Sequence, residues 1–282
     1  MENGIFVFAT QHPCFVENTS VSSTYKHKHG MCFYIETNSH KILFDLGKNG
    51  LFIENAEKMG VNISDIDIVV ISHGHIDHGG ALKLFLEKNN SAKVYIRDNA
   101  FDKHYIKFLG LKIDVGIDSS LKYHPQVVLT GKRMVLDDEL TLFSDVETRE
   151  CYSTSNNALF AGIGKNAYVD DFSHEQSLII SENEKLILVA GCSHAGIINI
   201  KNKAEQIVND KISYVVSGFH LYNPVSKRRE SNSLVQEIAE KLKDNYTYYY
   251  TCHCTGQKAF YKMKEVLCER LTYLSTGSEV EF

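Results

Sequence analysis

Hairpins mixed with strand–helix units predict an α/β fold, with one or two mixed sheets and helices on the outer faces. Three observations carry this expectation. Apolar runs of strand length recur along the chain, and one of them, Ile66–Ser72, reads as a strand buried on both faces. Amphipathic stretches of helix length separate many of these runs. Polar clusters at Asn38-Ser39-His40 and Glu182–Glu184 join neighbouring runs as hairpins. An αββα stack fits this pattern as well as one open sheet.

In chain order, Ile5–Ala9, Met31–Glu36 and Lys41–Asp45 are rich in Phe, Ile and Val and read as strands. Leu51–Met59 reads as a helix closed by Gly60 in the left-handed conformation. After the strand Ile66–Ser72, a helix resumes over Gly80–Lys88 and a strand over Lys93–Arg97. Asn99–Leu109 is expected as a helix, followed by a loop through Ser120. Val127–Thr130, Arg133–Leu136 and Leu140–Phe143 suggest strands, and Ser177–Ser181 with Lys185–Ala190 a hairpin. Helices at Ile197–Val208, Ser231–Lys243 and Gly256–Cys268 alternate with strands at Ile212–Ser217 and Tyr246–Thr251.

The composition, 43% hydrophobic and 23% charged over 282 residues, excludes a disordered or fibrous chain. With no repeat and no linker, a single domain over 1–282 is expected. A net charge of −5 gives no basic excess, so nucleic acid is not expected as a partner. Seven irregularly spaced cysteines do not form a disulfide framework. No signal peptide or membrane-spanning run is visible, so a reduced cytoplasm is the expected location.

The chemistry concentrates in Ser72-His73-Gly74-His75-Ile76-Asp77-His78-Gly79-Gly80, placed where a buried strand ends. Three imidazoles and a carboxylate within six residues suit zinc, iron or manganese, and the glycines let the backbone curl tightly. A solvated histidine-rich loop is the plain alternative, but such loops lie in polar tails.

This His-x-His-x-Asp-His pattern resembles the metal-binding loop of the metallo-β-lactamase superfamily. Phe44-Asp45-Leu46-Gly47 upstream is similar to its Asp-x-Gly strand end, and Gly191-Cys192-Ser193-His194 and Cys252-His253 stand where its remaining ligands arise. Val16-Glu17-Asn18, His29-Gly30, Phe172–Ser177, Ser217–Leu221 and Cys252–Gly256 look like one branch, labelled after a dihydropterin–ribofuranosylaminobenzene phosphate synthase. The resemblance implies a four-layer αββα sandwich with two divalent ions, zinc first, iron or manganese as options. His73 and His75 would bind the first ion, and Asp77, His78 and His253 the second.

At the bridging position the superfamily commonly has Gly-Asp, and this chain has Gly191-Cys192. Either the Cys192 thiolate or His194 would fill it. His194 is preferred because a neutral imidazole binds without deprotonation. The third ligand of the first ion would come from Asp170, Asp171 or His174, or from His194 itself.

Asp45 is expected to orient a ligating histidine. His220, at a strand end, is expected to touch substrate or a carboxylate behind the ligands, with a hydrogen-bonded strand-end histidine as the plain alternative. Cys252 and Cys254 would point opposite to His253 on one strand and belong to the core or rim. Lys227-Arg228-Arg229 reads as a solvated approach to a helix, or as a phosphate clamp. Phe101–His124, rich in Lys, His, Tyr and Phe, reads as an ordinary surface segment or as part of a lid insertion at about 98–125. As a lid, its basic and aromatic groups would suit an anionic, ring-bearing substrate.

These features predict a metal-dependent hydrolase acting on an ester, lactone or phosphoester of a small anionic substrate, with Asp77 orienting the attacking water. A pterin-type synthase using the same metals and an idle metal-binding module are the alternatives.

Overall fold

The computed structural model describes residues 12–282, so the strand expected at Ile5–Ala9 lies outside the described residues. The elements are β1 (Cys14–Val16), β2 (Cys32–Glu36), β3 (Lys41–Phe44), α1 (Leu51–Lys58), β4 (Ile68–Val70), α2 (Ile76–Gly79), α3 (Leu82–Lys88) and β5 (Lys93–Arg97). Then follow β6 (His104–Phe108), β7 (Leu111–Asp114), β8 (Val127–Thr130), β9 (Arg133–Val135), β10 (Leu140–Phe143), β11 (Leu159–Ala161) and β12 (Tyr168–Val169). The chain closes with β13 (Ser177–Glu182), β14 (Lys185–Val189), α4 (Ile197–Val208), β15 (Tyr214–Gly218), α5 (Asn232–Leu242), β16 (Tyr248–Cys252), α6 (Gln257–Leu267) and β17 (Leu271–Tyr273).

Two large sheets dominate, ordered β1-β2-β3-β4-β5-β8 and β17-β16-β15-β14-β13-β10-β9. In the first, β3, β4, β5 and β8 run parallel. In the second, β14 to β17 run parallel. One apolar layer, including Phe33, Phe44, Val70, Leu178 and Val189, lies between the sheets. A second layer packs α1 and α3 on the first sheet, through Phe52, Ala56, Leu82 and Phe85. A third packs α4, α5 and α6 on the other, through Ile200, Ile238 and Met263. Burial on both faces explains the apolar strands, and the result is the expected αββα sandwich.

The helices follow from local sequence. In α1, Leu51, Phe52, Asn55 and Ala56 are buried on one face. Ser231 caps α5 by accepting a hydrogen bond from the Leu234 amide at 3.2 Å. Among the described residues no helix is long and apolar enough to cross a membrane.

Asn99–Leu109 is not a helix. It forms a short 3₁₀ turn at Asp98–Phe101 and then β6. In β6 His104 and Ile106 are buried while Lys107 is exposed, an alternation of period two that suits a half-covered strand. β6 pairs with β7 and with β11, giving a third sheet ordered β12-β11-β6-β7. Its partner β11 lies some fifty residues onward, roughly, beyond any local pattern. The helix expected from Gly80 also starts earlier, because α2 begins directly at Ile76 inside the histidine motif.

Candidate metal centre

Parallel strands end together at one edge of the sandwich, where ligand sites of α/β sheets gather. β3 ends before Asp45, β4 before Ser72 and His73, β14 before Cys192, β15 before His220, and β16 at Cys252 before His253. The loops that follow are forced into tight paths. A Cβ on Gly74 would meet the Ala100 carbonyl and come within 2.7 Å of His104 Nε2. At Gly191 it would collide with the Ser72 side chain and lie 3.2 Å from His73 Nδ1.

One group joins His73, His75 and His194, whose ligand atoms lie within 4.8 Å of one another. All three side chains are buried, and His73 Nε2, His75 Nε2 and His194 Nε2 have no hydrogen-bond partner. Burial, with the neighbouring imidazoles adding to it, holds His73 and His194 well below the usual histidine range. Burial also lowers His75, ahead of the charge of His174. Neutral rings with buried, unpartnered nitrogen lone pairs are costly unless a cation receives them.

The opposite nitrogens of His73 and His194 are fixed. His73 Nδ1 lies 2.8 Å from Ser72 Oγ, which donates to Asp45 Oδ2 at 2.8 Å. His194 Nδ1 lies 2.9 Å from Asn156 Oδ1, and the Asn156 amide donates to the His194 carbonyl at 2.9 Å. Glu175 accepts from the backbone N–H groups of His194 and Ala195 at 2.7 and 2.9 Å. Its carboxyl is pushed up to about 6 by burial, against the pull of those two donors.

A second group surrounds Asp77. Its Oδ2 is 3.3 Å from His253 Nε2, 3.7 Å from His78 Nε2 and 3.0 Å from His29 Nε2. Burial opposes ionisation of Asp77, but the charge of His78 and hydrogen bonds from His253 and His29 outweigh it and hold the carboxyl well below the usual range. His78 Nδ1 donates to Asp45 Oδ2 at 2.6 Å. Burial disfavours a charge on His78, yet Asp45 and Asp77 raise it to about 9. Asn18 Oδ1 faces both His253 Nδ1 at 3.2 Å and His29 Nδ1 at 3.1 Å. Glu17 Oε1 accepts from the His253 amide at 2.8 Å.

Cys192 stands between the two groups. Its Sγ is 3.1 Å from His78 Nε2, and it clusters with His73 and His78, with His194 and His220, and with His253 and Cys254. Burial pushes its thiol well up, so a cation would be needed to draw off the proton. His194 groups with His73 and His75 and also with Cys192 and His220, while Cys192 groups with His73 and His78 as well.

His174 stands with His75, His104 and Asp170 in a further buried group whose ligand atoms lie within 4.8 Å of one another, and both of its ring nitrogens are already engaged. Its Nδ1 accepts from the Gly74 amide at 3.0 Å and its Nε2 donates to Asp170 Oδ2 at 3.1 Å. Asp170 Oδ2 also receives His104 Nδ1 from β6 at 3.1 Å, tying the small sheet to the histidine loop. Asp171 is exposed and accepts from the Ser173 amide. His220 is buried with both ring nitrogens unpartnered, its ring 4.1 Å from that of His194.

Cys254 does not point away from His253. The strand stops at Cys252 and His253 takes a left-handed φ of 51°, so the alternation of an extended strand no longer applies. Cys252 stays in the core between the sheets. Lys227 to Arg229 are exposed, and Arg229 lies over Tyr222, 5.4 Å from its ring. His29, Asn18, Asn156, Glu17 and Glu175 are added by the structure. His29, Asn18 and Glu17 fall in the short motifs of the amino-terminal part, whereas Asn156 has no sequence signal.

The candidate ligands open onto a cavity of about 170 Å³ bordered by His29, Lys48, Asp77, Cys192, His220 and apolar side chains. The donor set, imidazole, carboxylate and thiol, suits divalent transition metals. The residues present fit such ions.

The family described as the metallo-beta-lactamase superfamily matches residues 27–147, which include the histidine loop. A synthase from Methanocaldococcus jannaschii, 7,8-dihydropterin-6-methyl-4-(beta-D-ribofuranosyl)-aminobenzene-5'-phosphate synthase, is 27% identical, over 93% of this chain and 92% of its own. An uncharacterized protein of the same organism is 27% identical over 89% of this chain and 93% of its own. Among solved structures, Tm1679, described as a metal-dependent hydrolase of the beta-lactamase superfamily, superposes with a TM-score of 0.80 at 25% identity, covering 97% of this chain and 99% of that one. By fold, by the histidine loop and by these likenesses, the chain resembles the metallo-β-lactamase superfamily.

Proposed function

We propose that the protein is a metal-dependent hydrolase that directs water at an ester, lactone or phosphoester of a small, anionic substrate. One observation carries the reading: buried imidazole nitrogens without partners converge from separate strand ends. His73, His75 and His194 would hold one ion, Asp77, His78 and His253 a second, with Cys192 between them. When bound, two such ions, zinc first and iron or manganese as options, lower the pKa of water from about 15.7 toward about 7 and polarise the attacked group.

The chain's own groups divide the remaining work. Asp77, ionised and bordering the cavity, accepts a hydrogen bond from the attacking water and orients it. His220 borders the cavity with free ring nitrogens and is placed to meet the substrate oxygen that gains charge. Asp45, Asn156 and Asn18 fix the rings they touch. The small sheet serves as a lid, held to the histidine loop through His104, Asp170 and His174.

A second reading is favoured by the likeness to the pterin-type synthase, in which the same donors bind a phosphate rather than activate water. The test uses tag-free, metal-loaded protein on bis(p-nitrophenyl) phosphate, p-nitrophenyl acetate and a simple lactone. Turnover that disappears with a chelator and in His75→Ala supports the hydrolase. Full metal loading with no turnover on any of them sinks it and favours the synthase reading.

A further inference from the structure

The expected lid chemistry, basic and aromatic groups over the metals, is not what faces the cavity. Lys103 is exposed and paired with Asp114 at 3.0 Å, and His104 is buried in the Asp170 network. From the small sheet and its loops the cavity instead meets Ile106, Val115 and Leu159, and from elsewhere Ile76, Pro224 and Val225. Ile106 and Leu159 are backed by Phe172, so this apolar wall rests on packed side chains. Val225, 41% exposed, stands at the rim.

We propose that these side chains form a subsite for a compact apolar group of the substrate, one aryl ring or a short branched alkyl. The inference rests on the hydrolase reading of the same site and adds the class of substrate. Size is the first argument: the cavity's 170 Å³ is slightly above the roughly 150 Å³ that an apolar cavity needs to take benzene. Polarity is the second. Beside these apolar side chains Asn223 is the polar member of the same stretch, and its Oδ1 already accepts from the Val225 and Ser226 amides, so a pterin edge or a sugar buried here would be left largely unpaired. Lys48 is the third. It is exposed at the same cavity and has no ion-pair partner among the described residues, so it supplies the attraction for an anionic head. Together they describe an anionic ester or phosphoester carrying an aryl or compact alkyl body.

The experiment compares phenylphosphonate with methylphosphonate, titrated calorimetrically into the metal-loaded protein. Both carry the same anion, so methylphosphonate reports the metal and Lys48 side and the ratio reports the subsite. Phenylphosphonate should bind at least about tenfold more tightly, the gain expected from burying part of a ring. Val115→Asn and Val225→Asn, at half-buried and exposed positions that the fold tolerates, should each reduce that ratio several-fold with the metal content unchanged. Lys48→Gln should weaken both ligands alike and preserve the ratio. Methylphosphonate binding with no preference for the phenyl compound overturns the subsite and leaves the hydrolase reading standing. Failure of both to bind to protein that also retains no metal overturns the reading itself, and the subsite with it.

Discussion

The floor and the wall of the cavity are built on opposite principles. The floor places His73, His75, Asp77, His78, Cys192, His194 and His253 at strand ends, nearly all of them buried, with His73, His78, His194 and His253 held on their far sides by Ser72, Asp45, Asn156 and Asn18. The wall places Ile106, Val115, Leu159 and Val225 on a small sheet and a loop, where packed apolar side chains face the cavity. Groups that must converge to tenths of an ångström sit on the rigid sandwich. Groups that only need the right shape and polarity sit on attachments to it. Reactivity should therefore follow the floor and selectivity the wall.

The largest effect should come from the floor. His75→Ala removes a ring from the first trio and, since metal activation contributes several kcal/mol, should lower kcat/KM by about a thousandfold or more. Circular dichroism should show the sandwich intact, because the ring contributes to a site and not to an apolar layer. Metal retained in full by this variant would break the division between floor and wall.

The next test separates the two candidates at the substituted position. His194→Ala should lose the first ion, and Cys192→Ser should keep it while binding the second more weakly. Elemental analysis of the two variants distinguishes them, and loss of both ions from His194→Ala with both retained in Cys192→Ser would return His194 to the bridging place. Smaller again is the effect of the supporting residues. Asn156→Ala or Asp45→Asn should lower metal affinity by about 10- to 100-fold, as losses of orienting partners do, with the ligands themselves untouched.

These residues also mark how far the sequence could be read. His73, His75, Asp77 and His78 are legible because the ligands lie within one short loop, where spacing alone brings them together. Asp45 and His253 are legible through the strand-end motifs that the superfamily shares. The roles of Cys192 and His194 are not, because Ser193 adopts a left-handed φ of 56° and the period-two rule ends with the strand. The same cause hid Cys254. The histidine-bearing segment after Asn99 was misread as a helix because its pairing partner, β11, is supplied from far along the chain. The rhythm of strands and helices implied mixed sheets with outer helices, the αββα order came from the resemblance, and the third sheet depends on tertiary pairing of short strands.

The smallest effect sharpens what an unpartnered histidine means. His12 is also buried with both ring nitrogens free, but it lies against Phe282 and away from any ligand group. Burial lowers it from 6.5 to about 4. Its folded-state value lies below the unfolded one, so as pH falls from 7 to 5 the unfolded chain takes up a proton that the native chain refuses. Stability should drop by about 2 kcal/mol over that interval from this group alone. Urea unfolding at the two pH values should show that loss shrinking in His12→Leu, with metal content unchanged. An identical pH dependence in both proteins would contradict the assignment.

The central claim, that two ligand groups share one edge of the sandwich, is tested most directly by metal stoichiometry. Tag-free apoprotein is reconstituted with zinc, dialysed and analysed for metal per chain. The account predicts two equivalents in the wild type, one in His194→Ala, and one in Asp77→Ala. A wild-type protein that binds no more than a fraction of one equivalent, or variants that still hold two, would contradict it.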